Sequence, residues 1–225
     1  MRIGYACINL SMECRSSRTF RLKSYSAENM RSTVAGNLSC LREQLDFNLE
    51  HCILYFRISS DLVPFASHPV CAYPWQREFR KEFKALGDFV KQHGMRVTMH
   101  PDQFILINPV DEGIYERSAA ELLYHAQVLD LMCLDSTNKI QIHVGGVYGD
   151  KAASMDRFVR RFRKLPPVVR RRLVVENDER SYGIADCLEV SARAGVPVVF
   201  DTLHHTANNR GEGLRRALVA AGSTW

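Results

Sequence analysis

The sequence predicts an α/β protein in which parallel strands form a barrel, and three features of the chain lead to this fold class. Short apolar runs rich in β-branched residues recur along the chain, and segments with apolar residues at helical spacing separate them. Histidine or acidic residues follow several of the apolar runs directly. Strands separated by helices of this length imply right-handed βαβ units and a parallel sheet, so the predicted fold is a (β/α)8 or TIM barrel.

The first part of the chain supplies two such units. A strand is predicted at Arg2–Ile8, and a helix from Asn29 to Glu50 has an apolar residue at every third or fourth position. A second strand follows at Ile53–Ile58. The next helix, Trp75–Gln92, ends before Gly94, which is a typical glycine of a helix C-terminus.

The middle of the chain continues the same alternation. Strands are predicted at Met95–Met99, Lys139–Ile142 and Leu173–Val175, with helices at Tyr115–Leu134 and Ser154–Leu165 between them. Each strand is short and dominated by apolar residues. Such strands fit a parallel sheet whose two faces are both covered.

The last part of the chain holds a helix at Ser181–Ala194, a sixth strand at Pro197–Phe200 and a helix at Gly213–Ala221. Six strand–helix units can be counted, whereas a closed barrel of this kind has eight units and about 250 residues. We therefore expect residues 1–225 to form one barrel domain that is truncated at its C-terminal side to about six units. It would be either an open barrel or the front portion of a longer protein.

Composition is ordinary for a globular domain, with 46% hydrophobic and 24% charged residues among 225. No stretch approaches the roughly 20 apolar residues of a membrane helix, and the start resembles a strand rather than a signal peptide. We expect an intracellular, cytoplasmic protein, nucleoid-associated in a bacterium, with no membrane contact and no obligate protein partner. The seven cysteines show no metal-site spacing, so we expect them to be reduced and mostly buried.

The formal net charge is +5, which permits association with a polyanion. Eight basic residues concentrate between Arg157 and Arg172, on a predicted helix and the segment that follows it. Helices of a barrel lie far from the C-terminal ends of its strands. We therefore expect this cluster to form a solvated helix face on the outside of the barrel.

Five polar residues stand just after predicted strands or close to them: His100, His143, Glu176, Asp201 and His204. Taken singly, each is ordinary, since a histidine there is often structural and a carboxylate often caps a helix. Together at one end of a barrel they would be costly to bury, and a divalent cation would offset that cost. Histidine and carboxylate ligands suit zinc, manganese or iron(II).

Two kinds of chemistry fit such a centre. Glu176, central in the strand order, can bridge two metals that act on a phosphodiester. The same ligands would also serve aldose–ketose isomerisation, and composition does not separate the two. The long connection Ser59–Pro74, which contains His68, is predicted on the same face and would cover the site.

Motifs in five places help to choose between phosphodiester hydrolysis and sugar isomerisation. They are Tyr5 with Asn9, Arg57–His68 (RISSDLVPFASH), His100–Phe104 (HPDQF), Glu176–Asp178 (END) and Phe200–His205 (FDTLHH). In sequence order and over essentially the whole chain, they resemble the motifs of the UV damage endonuclease family (UvdE type). The family is similar in fold to endonuclease IV and the xylose-isomerase-like barrels. The resemblance implies an enzyme that nicks damaged double-stranded DNA 5′ to cyclobutane pyrimidine dimers and 6-4 photoproducts, with abasic sites as a further substrate class.

The resemblance also implies roles for individual residues. His100 and His143 would ligate one metal, Glu176 would bridge to a second held by Asp201, and His204 would serve a third, with His205 as a substitute. The implied cofactor is a divalent metal cluster, with Mn²⁺ favoured and Zn²⁺ or Mg²⁺ as alternatives. His68 would lie at the phosphate, as a ligand or a contact residue, and would join Glu176 in catalysis.

The implied DNA contacts lie in two places. Gln103 and Phe104 would enter the duplex opposite the lesion, and Tyr5 and Asn9 would contact neighbouring nucleotides. Inserting such a wedge costs least where stacking is already disturbed.

Two departures from the family pattern carry expectations of their own. Phe104 stands where a tyrosine is frequent, so stacking is retained but the phenol hydroxyl is lost. The further ligands of the family have no counterpart after His205, so we expect this chain to nick DNA poorly. The rival hypotheses are a sugar isomerase or epimerase of the same barrel superfamily and a non-catalytic, damage-binding remnant.

Overall fold

A computed structural model describes residues 2–225 and contains six strands and nine α-helices within that range. The strands are β1 (Gly4–Ala6), β2 (Tyr55–Ile58), β3 (Arg96–Met99), β4 (Ile140–His143), β5 (Leu173–Glu176) and β6 (Val198–Val199). The helices are α1 (Ala27–Glu50), α2 (Trp75–Glu78), α3 (Arg80–Gln92), α4 (Glu112–Leu131), α5 (Lys151–Lys164), α6 (Pro167–Arg170), α7 (Ile184–Ala194), α8 (Thr202–Ala207) and α9 (Leu214–Gly222). Strands alternate with helices as the sequence predicts.

The chain divides into two compact units. The first comprises Met1–His100 with Tyr124–Lys139, and the second comprises Pro101–Leu123 with Ile140–Trp225. In each unit three strands pair in parallel, and their order follows the sequence. The predicted α/β class with parallel strands is therefore confirmed.

In the first unit, β2 lies between β1 and β3. Tyr55 is the partner of both Gly4 on β1 and Arg96 on β3, which fixes the register of all three strands. At Gly87, helix α3 lies against the backbone of Met132, which directly follows α4. Glycine has no Cβ, and a Cβ added at this position would lie 1.7 Å from the carbonyl oxygen of Met132. Only glycine allows the two backbones to come so near.

In the second unit, β5 lies between β4 and β6. Ile140 pairs with Leu173 and His143 with Glu176, while Glu176 also pairs with Val199. All four residues of β5 are buried, as expected for a parallel strand with both faces covered. The register thus brings the last residues of β4 and β5 side by side.

Several element boundaries differ from the predicted ones. The helix predicted over Trp75–Gln92 is interrupted at Phe79, whose backbone is not helical and separates α2 from α3. Helix α6 has two prolines at its start, and α8 directly follows a strand. Both are single turns or little more, too short to leave a periodic pattern in the sequence.

The cysteines do not all match the expectation of reduced, buried thiols. Cys14 and Cys40 form a disulfide, and Cys52 and Cys133 are exposed. Cys52 and Cys133 follow the ends of α1 and α4 with positive φ angles of 57° and 53°. They occupy the turn that ends a helix, a position that apolar spacing does not reveal.

The basic cluster is also not uniformly solvated, which corrects the prediction of an exposed helix face. Arg161 and Arg172 are only 6% and 2% exposed. Arg161 donates to the carbonyl of Pro109 and to Glu112 at 2.6 Å, and its guanidinium lies over the ring of Tyr115. Two arginines of the cluster are therefore structural.

Among residues 2–225 the structure contains no helix long and apolar enough to cross a membrane.

Candidate metal centre

His143 and Glu176 form the centre of the candidate site. They end the adjacent strands β4 and β5 and are register partners, with His143 Nε2 lying 3.6 Å from Glu176 Oε2. Glu176 is 5% exposed, and His143 is half-buried. An imidazole nitrogen and a carboxylate oxygen placed in this way can share one divalent cation.

Asp201 lies just after β6 and begins α8. Its carboxylate accepts a hydrogen bond from the backbone N–H of His204 at 2.8 Å and so caps the helix. The side chain of Asn177 joins this segment to the end of β5, because it donates to the Asp201 carbonyl at 3.0 Å and accepts from the Asp201 N–H at 2.9 Å. The fully buried Asn177 amide therefore continues the strand pairing where the strands stop.

His204 lies on the first turn of α8 beside His143, with their ring centroids 5.6 Å apart. Its Nδ1 is 3.4 Å from the carboxylate of Glu179. The pKa of Glu179 is held below its ordinary value, first by its own backbone N–H and then, against an opposing effect of burial, by His204 and Arg180. Glu179 is thus an anionic neighbour of His204.

His205, the predicted substitute ligand, faces elsewhere. Its Nε2 donates to the Glu212 carbonyl at 2.9 Å, and its ring packs on Phe200 with centroids 5.0 Å apart. The ring is 3% exposed. This arrangement favours a structural histidine at 205 and leaves 204 as the candidate ligand.

His100 belongs to the first unit and directly follows β3, as predicted. It is half-buried, and its carbonyl accepts a hydrogen bond from the Ser60 hydroxyl at 2.7 Å. Its imidazole is a donor of the kind that zinc, manganese and iron(II) accept. Within the second unit, the imidazole of His143 and the carboxylate of Glu176 lie side by side, and these residues therefore fit a divalent metal.

Tyr5 and Asn9 are brought together in the first unit. The Tyr5 hydroxyl donates to Asn48 at 2.8 Å and accepts from the Asn9 amide at 2.9 Å, and the Tyr5 ring packs edge-on against Phe56. Burial raises the pKa of Tyr5 above its ordinary value, although both hydrogen bonds oppose the rise. The hydroxyl therefore stays protonated at neutral pH and fixes the position of the ring.

His68 lies in the predicted long connection after β2 and is exposed. Its Nδ1 accepts a hydrogen bond from the backbone N–H of Val70 at 3.1 Å. The connection is anchored at its start, where the Asn37 amide donates to the carbonyls of Asp61 and Leu62. In the neutral imidazole, acceptance at Nδ1 leaves the proton on Nε2, which is then a donor.

Gln103 and Phe104 lie in the second unit in the loop that precedes α4. Both are exposed, and 73% of Phe104 is accessible to solvent. A turn holds them, in which the Ile105 N–H donates to the Asp102 carbonyl at 2.9 Å. A large apolar side chain this exposed has little role in packing the fold.

Three residues that support the site were not singled out as functional by the sequence, namely Asn48, Asn177 and Glu179. Asn177 lies within a recognised motif and directly follows a strand, which is a usable signal. Asn48 is 43 residues from Tyr5 in the chain, so only the fold reveals their contact. Glu179 is one of many exposed glutamates until its distance from His204 is known.

The family model of the UV-endonuclease UvdE matches residues 1–225 of this chain. The chain belongs to the UvdE family. Among its relatives, the UV DNA damage endonuclease of Clostridium perfringens is 39% identical over 205 residues, covering 91% of this chain and 50% of the relative. That of Bacillus pumilus is 40% identical over 179 residues, covering 80% of this chain and 56% of the relative. The chain thus spans about half the length of these two UvdE relatives.

One solved structure agrees with the UvdE assignment, and a second is similar in fold only. The crystal structure of SacUVDE is 43% identical, with a TM-score of 0.97, and the match covers all of this chain and 77% of that one. A D-psicose 3-epimerase from Clostridium cellulolyticum H10 has a TM-score of 0.59 at 14% identity, covering 81% of this chain and 64% of that one. The epimerase likeness concerns the fold alone, and it agrees with the predicted barrel class.

Proposed function

We propose that this chain belongs to a DNA repair endonuclease that hydrolyses the phosphodiester bond immediately 5′ to ultraviolet photoproducts. Cyclobutane pyrimidine dimers and 6-4 photoproducts are the proposed substrates, with abasic sites as a further class. The observation that carries the proposal is the adjacent pair of His143 and Glu176 at two strand ends, in a chain of the UvdE family. Imidazole and carboxylate at one site are suited to metal-assisted hydrolysis.

The proposed ligands are His100, His143 and Glu176 for the first ion, with Asp201 and His204 serving further ions. Mn²⁺ is the proposed ion, and Zn²⁺ and Mg²⁺ are the alternatives. When bound, such ions lower the pKa of the attacking water and stabilise charge on the phosphate. The chain itself holds the donors in place, because register fixes His143 beside Glu176 and the Asn177 amide fixes Asp201.

His68 is proposed to contact the phosphate as a hydrogen-bond donor and not to ligate a metal. Its Nδ1 is already engaged with the backbone of Val70, so Nε2 of the neutral ring carries the proton. The side chain is exposed and therefore accessible to DNA. A donor to a non-bridging phosphate oxygen would stabilise the charge that develops there during hydrolysis.

Lesion recognition is proposed for Gln103 and Phe104, together with Tyr5 and Asn9. Unstacking a damaged dinucleotide costs less than unstacking intact duplex, so an inserted wedge discriminates between them. Phe104 is suited to stacking because it is exposed and apolar, and Gln103 can replace hydrogen bonds that the bases lose. Tyr5 and Asn9 form a pair that the hydrogen bonds among Asn9, Tyr5 and Asn48 hold in place.

The test compares ultraviolet-irradiated and untreated plasmid. We expect tighter binding to irradiated DNA and, with Mn²⁺ present, only weak nicking by this chain, at positions 5′ to the lesions, that disappears with chelator. A Glu176→Gln variant should lose the nicks and keep its fold. Equal binding of both plasmids would contradict the proposal, and epimerisation of a ketose would favour the sugar enzyme instead. Damage-selective binding without metal uptake would indicate a non-catalytic remnant.

A further inference from the structure

Glu179 and His204 form a pair in the second unit, and hydrogen bonds hold the backbone of the segment that carries each of them. His204 is fixed through its backbone, because its N–H donates to the Asp201 carboxylate. The Glu179 carboxylate approaches its ring at Nδ1, at 3.4 Å. The other ring nitrogen, Nε2, is not engaged by this carboxylate.

The loop that carries Glu179 is itself held firmly. The carboxylate of Asp178 accepts from the backbone N–H groups of Arg180, Ser181 and Tyr182, and the Asp178 carbonyl accepts from the Asn208 amide at 3.0 Å. Asn208 follows α8, the helix that carries His204. The loop and the helix are therefore tied together, so the backbone positions that carry the two side chains are fixed relative to each other.

Stability does not explain this pair. The side chains of Glu179 and His204 are 47% and 26% exposed, and ion pairs with this much solvent contact contribute little to folding. Orientation is a better explanation. A carboxylate beside one nitrogen of an imidazole selects the tautomer with the proton on that nitrogen and leaves a lone pair on the other.

We propose that Glu179 is a positioning residue that holds His204 in the Nδ1–H tautomer, with Nε2 presented as the ligand atom for a divalent cation. The proposed orientation of His204 is supported by the distance of 3.4 Å between its Nδ1 and the Glu179 carboxylate. Its use as a ligand rests on the proposed function. Glu179 acts here through His204 and does not itself touch the ion or the substrate.

The first experiment measures the tautomer without metal or DNA. The full chain is labelled with ¹⁵N-histidine, and two-bond ¹H–¹⁵N correlations are recorded over a pH series, with His204→Gln identifying the resonance. We expect the neutral ring to carry its proton mainly on Nδ1, to shift towards Nε2–H in Glu179→Ala and to recover in Glu179→Gln, whose amide oxygen can still accept. A proton on Nε2 in the parent chain, or no change in Glu179→Ala, would overturn the proposal.

The second experiment titrates Mn²⁺ and Zn²⁺ into the metal-free chain by calorimetry. Loss of the outer partner of a ligating histidine costs about 10- to 100-fold in affinity, so Glu179→Ala should weaken one site by that factor and Glu179→Gln by much less. The matched control is Glu189→Ala, which removes an exposed glutamate paired with Arg193 and should leave binding unchanged. Equal losses in Glu179→Ala and Glu179→Gln would indicate a direct ligand and overturn the positioning role. If the parent chain binds no metal, the proposed function fails. The NMR measurement of the tautomer still tests whether Glu179 orients His204.

Discussion

At the scale of single residues, the buried carboxylate of Glu176 is the strongest reason to expect a cation at the candidate metal centre. It is almost fully buried at the end of β5, and burying a carboxylate is costly unless a cation or hydrogen-bond donors lie beside it. His143 Nε2 lies 3.6 Å away, beyond hydrogen-bond distance. A divalent ion would compensate the charge more fully.

Glu176→Gln removes that charge while keeping the shape of the side chain. We expect the affinity for Mn²⁺ or Zn²⁺ to fall by about 100-fold or more, since even outer partners of ligands contribute 10- to 100-fold. The measurement is metal content after dialysis, together with calorimetric titration. Glu116→Gln, at an exposed position on α4, is the control, and full metal occupancy in Glu176→Gln would exclude Glu176 as a ligand.

Phe104 offers a second prediction at this scale because it is 73% exposed and contributes little to packing. Stacking on a base contributes roughly 1 to 3 kcal/mol, so Phe104→Ala should weaken binding to irradiated duplex about tenfold or more. Metal content and thermal stability should not change, and Phe104→Tyr should be mild. Fluorescence anisotropy on irradiated and untreated duplexes measures the effect, and an equal loss on both would contradict a role in lesion recognition.

At the scale of elements, Asn177 links two strand ends. Its amide makes two hydrogen bonds to the backbone of Asp201, and it is fully buried. Asn177→Ala would remove both hydrogen-bond partners from the backbone of the half-buried Asp201, and a buried polar group left unpaired costs about 1 to 3 kcal/mol. We expect a clear fall in the free energy of unfolding, measured by urea denaturation. The backbone of Asp201 should also be less firmly positioned, because it loses both hydrogen bonds to Asn177.

Asn209→Ala is the matched control for this change. The Asn209 side chain also makes two hydrogen bonds to backbone groups, with the His205 carbonyl and the Gly211 N–H, but it is exposed. Water can replace those bonds, so the loss of stability should be much smaller. Equal losses in the two variants would show that burial of Asn177 has no special effect.

The helices and strands also show which elements the sequence predicts well. Long helices such as α1 and α3 lie close to their predicted positions because apolar residues recur at helical spacing over several turns, as at Val34, Leu38 and Leu41 of α1. The break at Phe79 and the short helices α6 and α8 were not predicted. Such features depend on local backbone angles and on side-chain caps such as Asp201, which leave little periodic signal.

At the scale of the whole molecule, net charge would govern the approach to the proposed DNA substrate. The formal charge of +5 is modest, and part of the basic cluster is buried, as Arg161 and Arg172 are. Lysine and arginine contacts to phosphate release counterions, so binding should fall linearly on a plot of log affinity against log salt. With roughly six phosphate contacts the loss between about 50 and 200 mM salt would be near 10³-fold.

Arg160 provides the control for this electrostatic prediction, because it is exposed on α5 within the cluster. Arg160→Glu should change the affinity and the salt slope only slightly if the cluster lies away from the DNA. Anisotropy titrations at several salt concentrations give both quantities. Loss of DNA binding in Arg160→Glu would instead place this helix in the interface, and independence from salt would argue against phosphate contacts altogether.

The sequence by itself determined the α/β class, the order of the strands and the positions of His143, Glu176, Asp201 and His204 at or beside strand ends. Those features follow from apolar periodicity and from the rule that parallel strands end on one side, both of which are local properties of the chain. Only the tertiary structure decided the partners of these residues: Glu179 beside His204, Asn177 on Asp201 and Asn48 on Tyr5. These partners are 24 to 43 residues apart in the chain, and the distances between them are set by register and packing, which residue types alone do not encode.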